Sequence, residues 1–339
     1  PMYYIEQGMG SKWKWLAKIF AFFGIGVGLL GIGTFTQVNG ISSAVNNFFD
    51  SNNAWTVSLF GRTYSWTVVI SCLILTFCVA LVLIGGIQRI SKVAQVIVPF
   101  MAATYFLAGI LIILFNITDV PAAILTIVQS AFGLKAAAGG ALGAMVVAMQ
   151  KGIARGIFSN EAGLGSAPIA AAAARTNEPV RQGLVSMTAT FIDTIIICSI
   201  TGIAIVLTGA YDMGLEGVAV TTKAFQLGLP FPDGVASFIL MLCLVFFAFT
   251  TILGWDYYSE RCLEYLTNGK KKCIKAYRWI YILCVFIGPY MTVSAVWTIA
   301  DIFNGLMAIP NLIALVALNG VVAKETKDYL DRIKKKEID

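Results

Sequence analysis

Long apolar stretches without a charged residue alternate with short clusters of Lys and Arg along this 339-residue chain. Most of these stretches approach or exceed the ~20 residues that an apolar helix needs to cross a bilayer. The uncharged runs are 19–49, 63–88, 93–118, 194–211, 234–255, 279–300 and 302–323. They lack the alternating polarity of barrel strands, which favours helices. The pattern therefore predicts an all-α polytopic membrane protein.

The amino-acid composition excludes several classes of function. Hydrophobic residues make up 58% of the chain and charged residues only 12%, against roughly 25% charged residues in soluble domains. The chain has no histidine, which excludes a histidine base, a Ser-His triad and most catalytic zinc sites. Its seven cysteines form no CxxC pair. We expect no enzyme, and no nucleic-acid partner because the net charge of +6 is dispersed.

The chain divides into about eight predicted transmembrane spans. Their expected ranges are 15–46, 64–88, 93–116, 136–174, 182–209, 234–258, 279–300 and 302–323. With these spans, nineteen Lys and Arg residues fall on the side of the termini and three, Arg62, Lys135 and Lys223, on the other. The positive-inside rule then places both termini in the cytoplasm.

The fourth span is too long to be one straight helix. Residues 136–174 would extend about 58 Å at ~1.5 Å per residue, nearly twice the ~30 Å hydrocarbon core. Gly163 and Gly165 allow the backbone to break, and Pro168 suits the first turn of a new helix. A half-helix beginning near Ser166 would direct its N–H groups at an anion such as a substrate carboxylate. The alternative is a purely structural kink.

The sequence around this break resembles one family of carriers. The stretch KGIARGIFSNEAGLGSAPIAAAAARTNEPVRQGLVSMTATFIDT is similar to the bacterial and archaeal alanine or glycine:cation symporters, also called sodium-coupled amino acid carrier proteins. The stretches PMYYIE, FAFTTILGWDYYSERC and LMAIPNLIAL match that family in the same order.

The resemblance implies a five-plus-five inverted-repeat fold of the amino acid, polyamine and organocation type. Residues 1–323 would form one transmembrane domain, with 1–118 the remainder of the first repeat and 136–323 the second, followed by a cytoplasmic tail at 324–339. Family members carry further helices before PMYYIE, including a broken helix with a Gly-Thr-Gly-Asn-like motif that this chain lacks. We therefore expect an N-terminally truncated carrier that does not transport as this chain alone.

The resemblance also implies the transported species. These are Na⁺, as the coupling ion, and a small neutral amino acid, alanine or glycine; no cofactor is expected. The setting would be the lipid bilayer of a prokaryotic cell membrane, and the carrier is expected to be a monomer. Another cation- or proton-coupled amino acid transporter of the same fold stays open. Less favoured are a channel and an intramembrane enzyme that uses Glu161 and Asp193 as paired carboxylates.

Two groups of candidate site residues follow. Those for the substrate are Phe158, Ser159, Asn160, Gly163 and Gly165, which match the family motif, together with Gln37 and Trp297. Gln37 could instead join helices, and Trp297 could be an interfacial anchor. For Na⁺, Thr250 and Thr251 offer hydroxyl oxygens, although adjacent threonines can also bond the preceding helical turn.

Ionisable groups inside a span are costly, and therefore we expect them to be paired. Lys151 and Arg155 lie four residues apart on one helix face, and Glu161 could neutralise one of them. For Asp193 we favour a pair with an arginine of the broken helix over direct binding of a cation. Structural ion pairs are thus predicted among Lys151, Arg155, Glu161 and Asp193.

Overall fold

The computed structural model describes residues 1–59, 61–132 and 140–335. Fourteen α-helices occupy most of the described residues. In chain order, α1 to α14 are Lys14–Leu30, Phe35–Phe49, Trp66–Ile84, Gly86–Phe115, Val120–Ala131, Ala141–Asn160, Ala167–Ala171, Pro179–Phe191, Ser199–Leu207, Val218–Gly228, Asp233–Thr267, Lys271–Ile287, Val293–Ala317 and Asn319–Lys334.

Six helical segments of the described part are long and apolar enough to cross a membrane: Ser11–Phe49, Trp66–Ile84, Gly86–Phe115, Pro179–Leu207, Asp233–Thr267 and Val293–Ala317. The fold is thus a mostly helical, polytopic one. Two further helices, α6 and α12, are not among these six. Helix α6 has 20 residues and carries two cationic side chains, and α12 has 17 residues. The expected count of about eight spans and the five-plus-five repeat stay predictions, as do the domain boundaries.

The long helix α11 is central to the packing and contacts α1, α2 and α4. Small residues let α1 approach it closely, since a Cβ atom added to Gly28 would lie 1.7 Å from Oγ of Ser259. Leu253 and Trp255 of α11 are almost fully buried, as is Phe20 of α1. Helix α13 also packs on α1.

The first predicted span, 15–46, lies within the membrane-spanning segment Ser11–Phe49, but its helix is interrupted. Helix α1 ends at Leu30 and α2 begins at Phe35. The intervening backbone is held by side chains: the hydroxyl of Tyr281 lies 3.0 Å from the carbonyl oxygen of Gly33, and the hydroxyl of Thr34 donates to the carbonyl of Leu29. Because the freed carbonyl groups are met inside the protein, the interruption is tolerated in a membrane.

The last two predicted spans, 279–300 and 302–323, have the wrong boundary. Helix α12 ends at Ile287, a 3₁₀ turn follows, and α13 runs without interruption from Val293 past Asp301. The new helix begins after Thr292, whose hydroxyl accepts a hydrogen bond from the N–H of Ala295. Asp301 lies inside this helix, and its carboxylate pairs with Arg155 of α6 at 2.6 Å.

A small β-hairpin departs from the expected all-α class. Strands β1 (Thr56–Leu59) and β2 (Arg62–Ser65) pair antiparallel between α2 and α3. Asp50 closes the segment: its carboxylate accepts from the hydroxyl of Ser65 at 2.6 Å and from the backbone N–H of Ala54 at 2.7 Å. These bonds hold the pKa of the Asp50 carboxyl below its ordinary value, the Ser65 hydroxyl contributing most.

The first eleven residues of the predicted tail, 324–334, belong to a helix that begins earlier, at Asn319. Arg332 of this helix pairs with Glu178 just before α8 at 2.6 Å. Two parts of the charge analysis, Lys135 and residues 336–339, lie outside the described residues.

Candidate functional site

The helix interruption expected at Gly163 and Gly165 is present in the structure. Helix α6 ends at Asn160, and Glu161 then adopts a left-handed conformation with φ of 56°. Gly163 and Gly165 have φ values of 80° and 91°, which residues with a Cβ rarely adopt. Six residues are therefore unwound before α7 begins.

The second half of the broken helix is shorter than expected. Helix α7 covers only Ala167–Ala171, whereas the sequence suggested a half-helix that begins near Ser166 in a span ending at 174. The peptide dipoles of only five residues add up to a small helix dipole. The structure therefore does not support the expected anion site at the N-terminal end of α7. The side chains nearest the break provide its polar character instead.

Glu161 is the polar centre of the unwound segment. Its carboxylate accepts hydrogen bonds from the hydroxyl of Ser166 at 2.5 Å and from the indole N–H of Trp255 at 2.9 Å. Both donors are 1% exposed. The predicted pairing of Glu161 with Lys151 or Arg155 is therefore wrong: the left-handed turn at Glu161 takes its side chain off the α6 face and towards α11.

Arg155 has a different partner. One guanidinium nitrogen lies 2.6 Å from both carboxylate oxygens of Asp301 on α13. The same group lies over the ring of Trp297, 4.3 Å from its centroid. Phe158 packs against Trp297 with a centroid distance of 4.8 Å. Lys151 is exposed and makes no ion pair with any residue that the structure describes.

Ser159 and Asn160 are directed towards the chain after α8. The hydroxyl of Ser159 lies 2.8–2.9 Å from both carboxylate oxygens of Asp193, and the Asn160 amide donates to the hydroxyl of Thr194 at 2.8 Å. Both partners lie in a π-helical turn, Ile192–Cys198, a distortion that is frequent at functional sites. Asp193 thus binds a serine hydroxyl and not the expected arginine.

The candidates for Na⁺, Thr250 and Thr251, and the substrate candidate Gln37 lie on other helices, α11 and α2. Thr250 and Thr251 both donate to main-chain carbonyl groups of the preceding turn, at 2.9–3.1 Å. Gln37 is half-buried on α2, and its amide has no side-chain hydrogen bond within the described part of the chain. The structure brings Phe158 and Trp297 together, and Ser159 and Asn160 next to Asp193, but it describes no contact between Gln37 and these groups.

Three residues at the break were not identified by the sequence analysis. Trp255 binds Glu161, Asn311 of α13 donates to the carbonyl of Gly163 at 2.9 Å, and Tyr4 donates to Asn311. All three lie in the quoted stretches PMYYIE, GWDYYSERC and MAIPNLIAL. A polar residue inside an apolar span was the available signal for Asn311.

These features define a class of protein. Apolar membrane helices that are interrupted, with unwound peptide groups held by polar side chains in the interior, are the architecture of secondary transporters. A comparison with family models makes the assignment specific: the chain belongs to the sodium:alanine symporter family, whose model matches residues 1–339. It is accordingly a membrane transport protein and not an enzyme.

Several curated relatives are similar over nearly the whole chain. A transporter of Haemophilus influenzae without an assigned substrate is 52% identical over 98% of this chain and 69% of its own length. The sodium/alanine symporter AgcS of Methanococcus maripaludis is 42% identical over 99% and 70%. The probable sodium/glutamine symporter GlnT of Bacillus subtilis is 37% identical over 97% and 64%. The chain thus spans about two thirds of the length of these relatives.

Proposed function

We propose that the protein carries a small neutral amino acid, alanine or glycine, together with Na⁺ across the cell membrane of a prokaryote. The observation that carries this proposal is the interruption between α6 and α7. The name of the archaeal relative, a sodium/alanine symporter, supports alanine as the first substrate to test. The name of the B. subtilis relative makes glutamine the alternative.

The unwound segment has the chemistry that an amino acid requires. A zwitterion presents a carboxylate and an ammonium group, which need hydrogen-bond donors and acceptors inside the membrane. Peptide N–H and C=O groups that have no helical partner supply both. Neither Gly163 nor Gly165 carries a side chain. Gly165 is packed against Phe20 and Asn311, and we infer that the half-buried main chain at Gly163 approaches the polar end of the substrate.

Two groups of side chains next to the break suit a small substrate. Phe158 and Trp297 form an aromatic pair, which we assign as the wall against the substrate side chain. Ser159 and Asn160 are oriented by Asp193 and by the π-helical turn, so that they bind with little loss of conformational entropy. Gln37 remains our candidate on a neighbouring helix.

For Na⁺ we propose the hydroxyl oxygens of Thr250 and Thr251. Each hydroxyl proton is used by a main-chain carbonyl, which leaves oxygen lone pairs free to face a cation. Hard cations prefer such oxygen ligands. In this scheme Na⁺ is transported with the amino acid, and no organic cofactor takes part.

The remaining parts of the scheme concern the membrane. The excess of Lys and Arg on one side of the predicted spans supports a cytoplasmic location of both termini of this chain. We further propose that the carrier has the five-plus-five repeat and acts as a monomer within the lipid bilayer.

Uptake into proteoliposomes tests the proposal. The complete gene product containing this chain is reconstituted, and labelled alanine, glycine, serine and glutamine are offered with an inward Na⁺ gradient. We expect accumulation of alanine or glycine that disappears when K⁺ replaces Na⁺, and exchange of labelled for unlabelled substrate. A proton gradient without Na⁺ distinguishes the two coupling ions. A channel would not accumulate the label.

A pair of phenylalanine variants tests the site. We expect Phe158→Ala to raise KM about tenfold, since the loss of apolar contact in a small pocket is worth about 1.4 kcal/mol. Phe191→Ala is the matched control, because its ring is 56% exposed on the outside of α8. Equal KM values for both variants would contradict the assignment of Phe158, and the absence of any Na⁺-driven accumulation by the unmodified protein would contradict the function.

A further inference from the structure

Asn311 of α13 joins the broken helix to the first residues of the chain. The residue is 2% exposed. Its amide nitrogen donates to the carbonyl oxygen of Gly163 at 2.9 Å, and its amide oxygen accepts from the hydroxyl of Tyr4. Both ends of one buried amide are therefore used, one on the unwound segment and one on the N-terminal segment.

The bond to Gly163 replaces a missing helical hydrogen bond. The carbonyl of Gly163 lies in the unwound part of the chain, and a buried carbonyl without a donor would be unfavourable. The surroundings are tight: a Cβ atom on Gly165 would lie 3.0 Å from Cγ of Asn311 and 2.7 Å from the ring of Phe20. The neighbouring Leu164 is 1% exposed. The unwound segment thus packs closely against α1 and α13.

The carbonyl of Gly163 determines which way the amide points, and the hydroxyl of Tyr4 holds it there by donating to the amide oxygen. An asparagine amide rotated by 180° would present oxygen to the carbonyl oxygen of Gly163, and two acceptors cannot bond each other. With the NH₂ group bound to Gly163, the amide oxygen faces Tyr4, and the hydrogen bond from the Tyr4 hydroxyl restrains the amide in this orientation.

We propose that Asn311 is a positioning residue for the substrate site and that Tyr4 acts through it. By fixing one carbonyl of the unwound segment, Asn311 keeps the other peptide groups of residues 161–166 directed towards the amino acid. Binding then requires less ordering of the backbone. This inference rests on the proposed function, because it assigns a purpose to the same broken helix.

Hydrogen exchange measured by mass spectrometry tests the positioning directly. Asn311→Leu removes the donor and retains the side-chain volume, whereas Tyr4→Phe removes only the hydroxyl. For both variants of the complete protein we expect amides in a peptide covering 159–168 to exchange roughly twofold to tenfold faster, as the loss of one hydrogen bond predicts. The effect of Tyr4→Phe should be the smaller one.

Asn304→Leu is the matched control. Asn304 lies two turns earlier on the same buried face of α13 and is 8% exposed, and its amide oxygen has no hydrogen-bond partner in the described structure. Its substitution should leave the exchange of 159–168 unchanged. If Asn311→Leu does not fold, Tyr4→Phe decides the question alone. Unchanged exchange in Tyr4→Phe, and in Asn311→Leu where it folds, would overturn the inference.

Kinetics separate positioning from simple loss of structure. We expect Asn311→Leu to raise the KM for the amino acid by a similar twofold to tenfold factor, with a smaller change in maximal rate per folded carrier. A lower maximal rate at constant KM would indicate a merely structural role and would count against the proposal. If the unmodified protein shows no Na⁺-driven uptake but the exchange changes occur, the proposed function fails while the contact between Asn311 and the break stands.

Discussion

The hydrogen bond between Glu161 and Trp255 supports a quantitative prediction about the broken helix. Glu161→Leu removes both acceptor oxygens and replaces the glutamate with an apolar side chain of similar size. Two donors, the Trp255 indole and the Ser166 hydroxyl, then lose their acceptor in a place where both residues are 1% exposed. At about 1–3 kcal/mol for each orphaned donor, the expected loss in the free energy of unfolding is about 2–6 kcal/mol.

A double-mutant cycle isolates the contribution of the indole. Trp255→Phe removes the N–H donor, and the double variant removes both partners. A hydrogen bond between neutral groups contributes about 0.5–1.5 kcal/mol and one to a charged acceptor about 1.5–3 kcal/mol, and we expect a coupling energy of about 0.5–3 kcal/mol. Equilibrium unfolding in mixed detergent micelles, followed by circular dichroism, gives the four free energies of unfolding. Circular dichroism is preferred because the cycle changes the tryptophan content.

A distant tryptophan provides the control cycle. Trp13 lies before α1 and is 36% exposed, and the coupling of Trp13→Phe with Glu161→Leu should be within about 0.5 kcal/mol of zero. If the Trp255 cycle gives a coupling energy as small as this control, the assignment of Glu161 as the carboxylate that holds the break would be refuted.

Two further predictions concern backbone and pH. Gly165→Ala should lower the free energy of unfolding by about 1–3 kcal/mol, because φ is 91° and the new Cβ would lie 2.7 Å from Phe20. The control, Gly152→Ala within α6, has no atom near the new Cβ and should be neutral or slightly stabilising. Equal free energies of unfolding for the two variants would contradict the reasoning. The lowered pKa of Asp50 means that its carboxylate stabilises the hairpin above the unfolded-state pKa, and that this contribution is lost as pH falls through the folded-state pKa. Asp50→Asn should therefore reduce the loss of amide protection in residues 54–59 and 61–65 on acidification, and an unchanged pH profile would rule this out.

The length of the fourth predicted span indicated the interruption between α6 and α7. The same length argument, applied to the first span, indicates the interruption between α1 and α2. Residues 136–174 are too long for one span, and the break occurs at the glycines that permit it. The same reasoning applies to 15–46, which would extend about 48 Å at ~1.5 Å per residue. No proline or charge marks the break between α1 and α2. Its freed carbonyl groups are met by Thr34 and by Tyr281, which is nearly 250 residues away, and a linear pattern does not contain that contact.

Charge pairing was the least predictable part of the site. The sequence suggested Glu161, just beyond Lys151 and Arg155, as the partner of one of these two cations, but this holds only if Glu161 stays on their face of the helix. The left-handed residue at the break redirects Glu161 to Trp255, and Arg155 is neutralised from another helix by Asp301. For the same reason Asp301 was mistaken for the end of a span. The identity of the family, in contrast, followed from a motif of 44 residues and is confirmed by the match over 1–339.

One turn of α11 supports both interruptions of the bundle. A Cβ atom on Gly33, at the first break, would lie 2.6 Å from Cβ of Trp255. The Tyr281 hydroxyl lies 3.0 Å from the carbonyl oxygen of Gly33 and 2.7 Å from that of Ile252. The Trp255 indole in turn binds Glu161 at the second break. The two unwound segments, although far apart in sequence, therefore share a support of about four residues. A displacement of this turn of α11 relative to α1 and α6 must strain both segments together, whereas a change at Asn311 acts on the second segment alone.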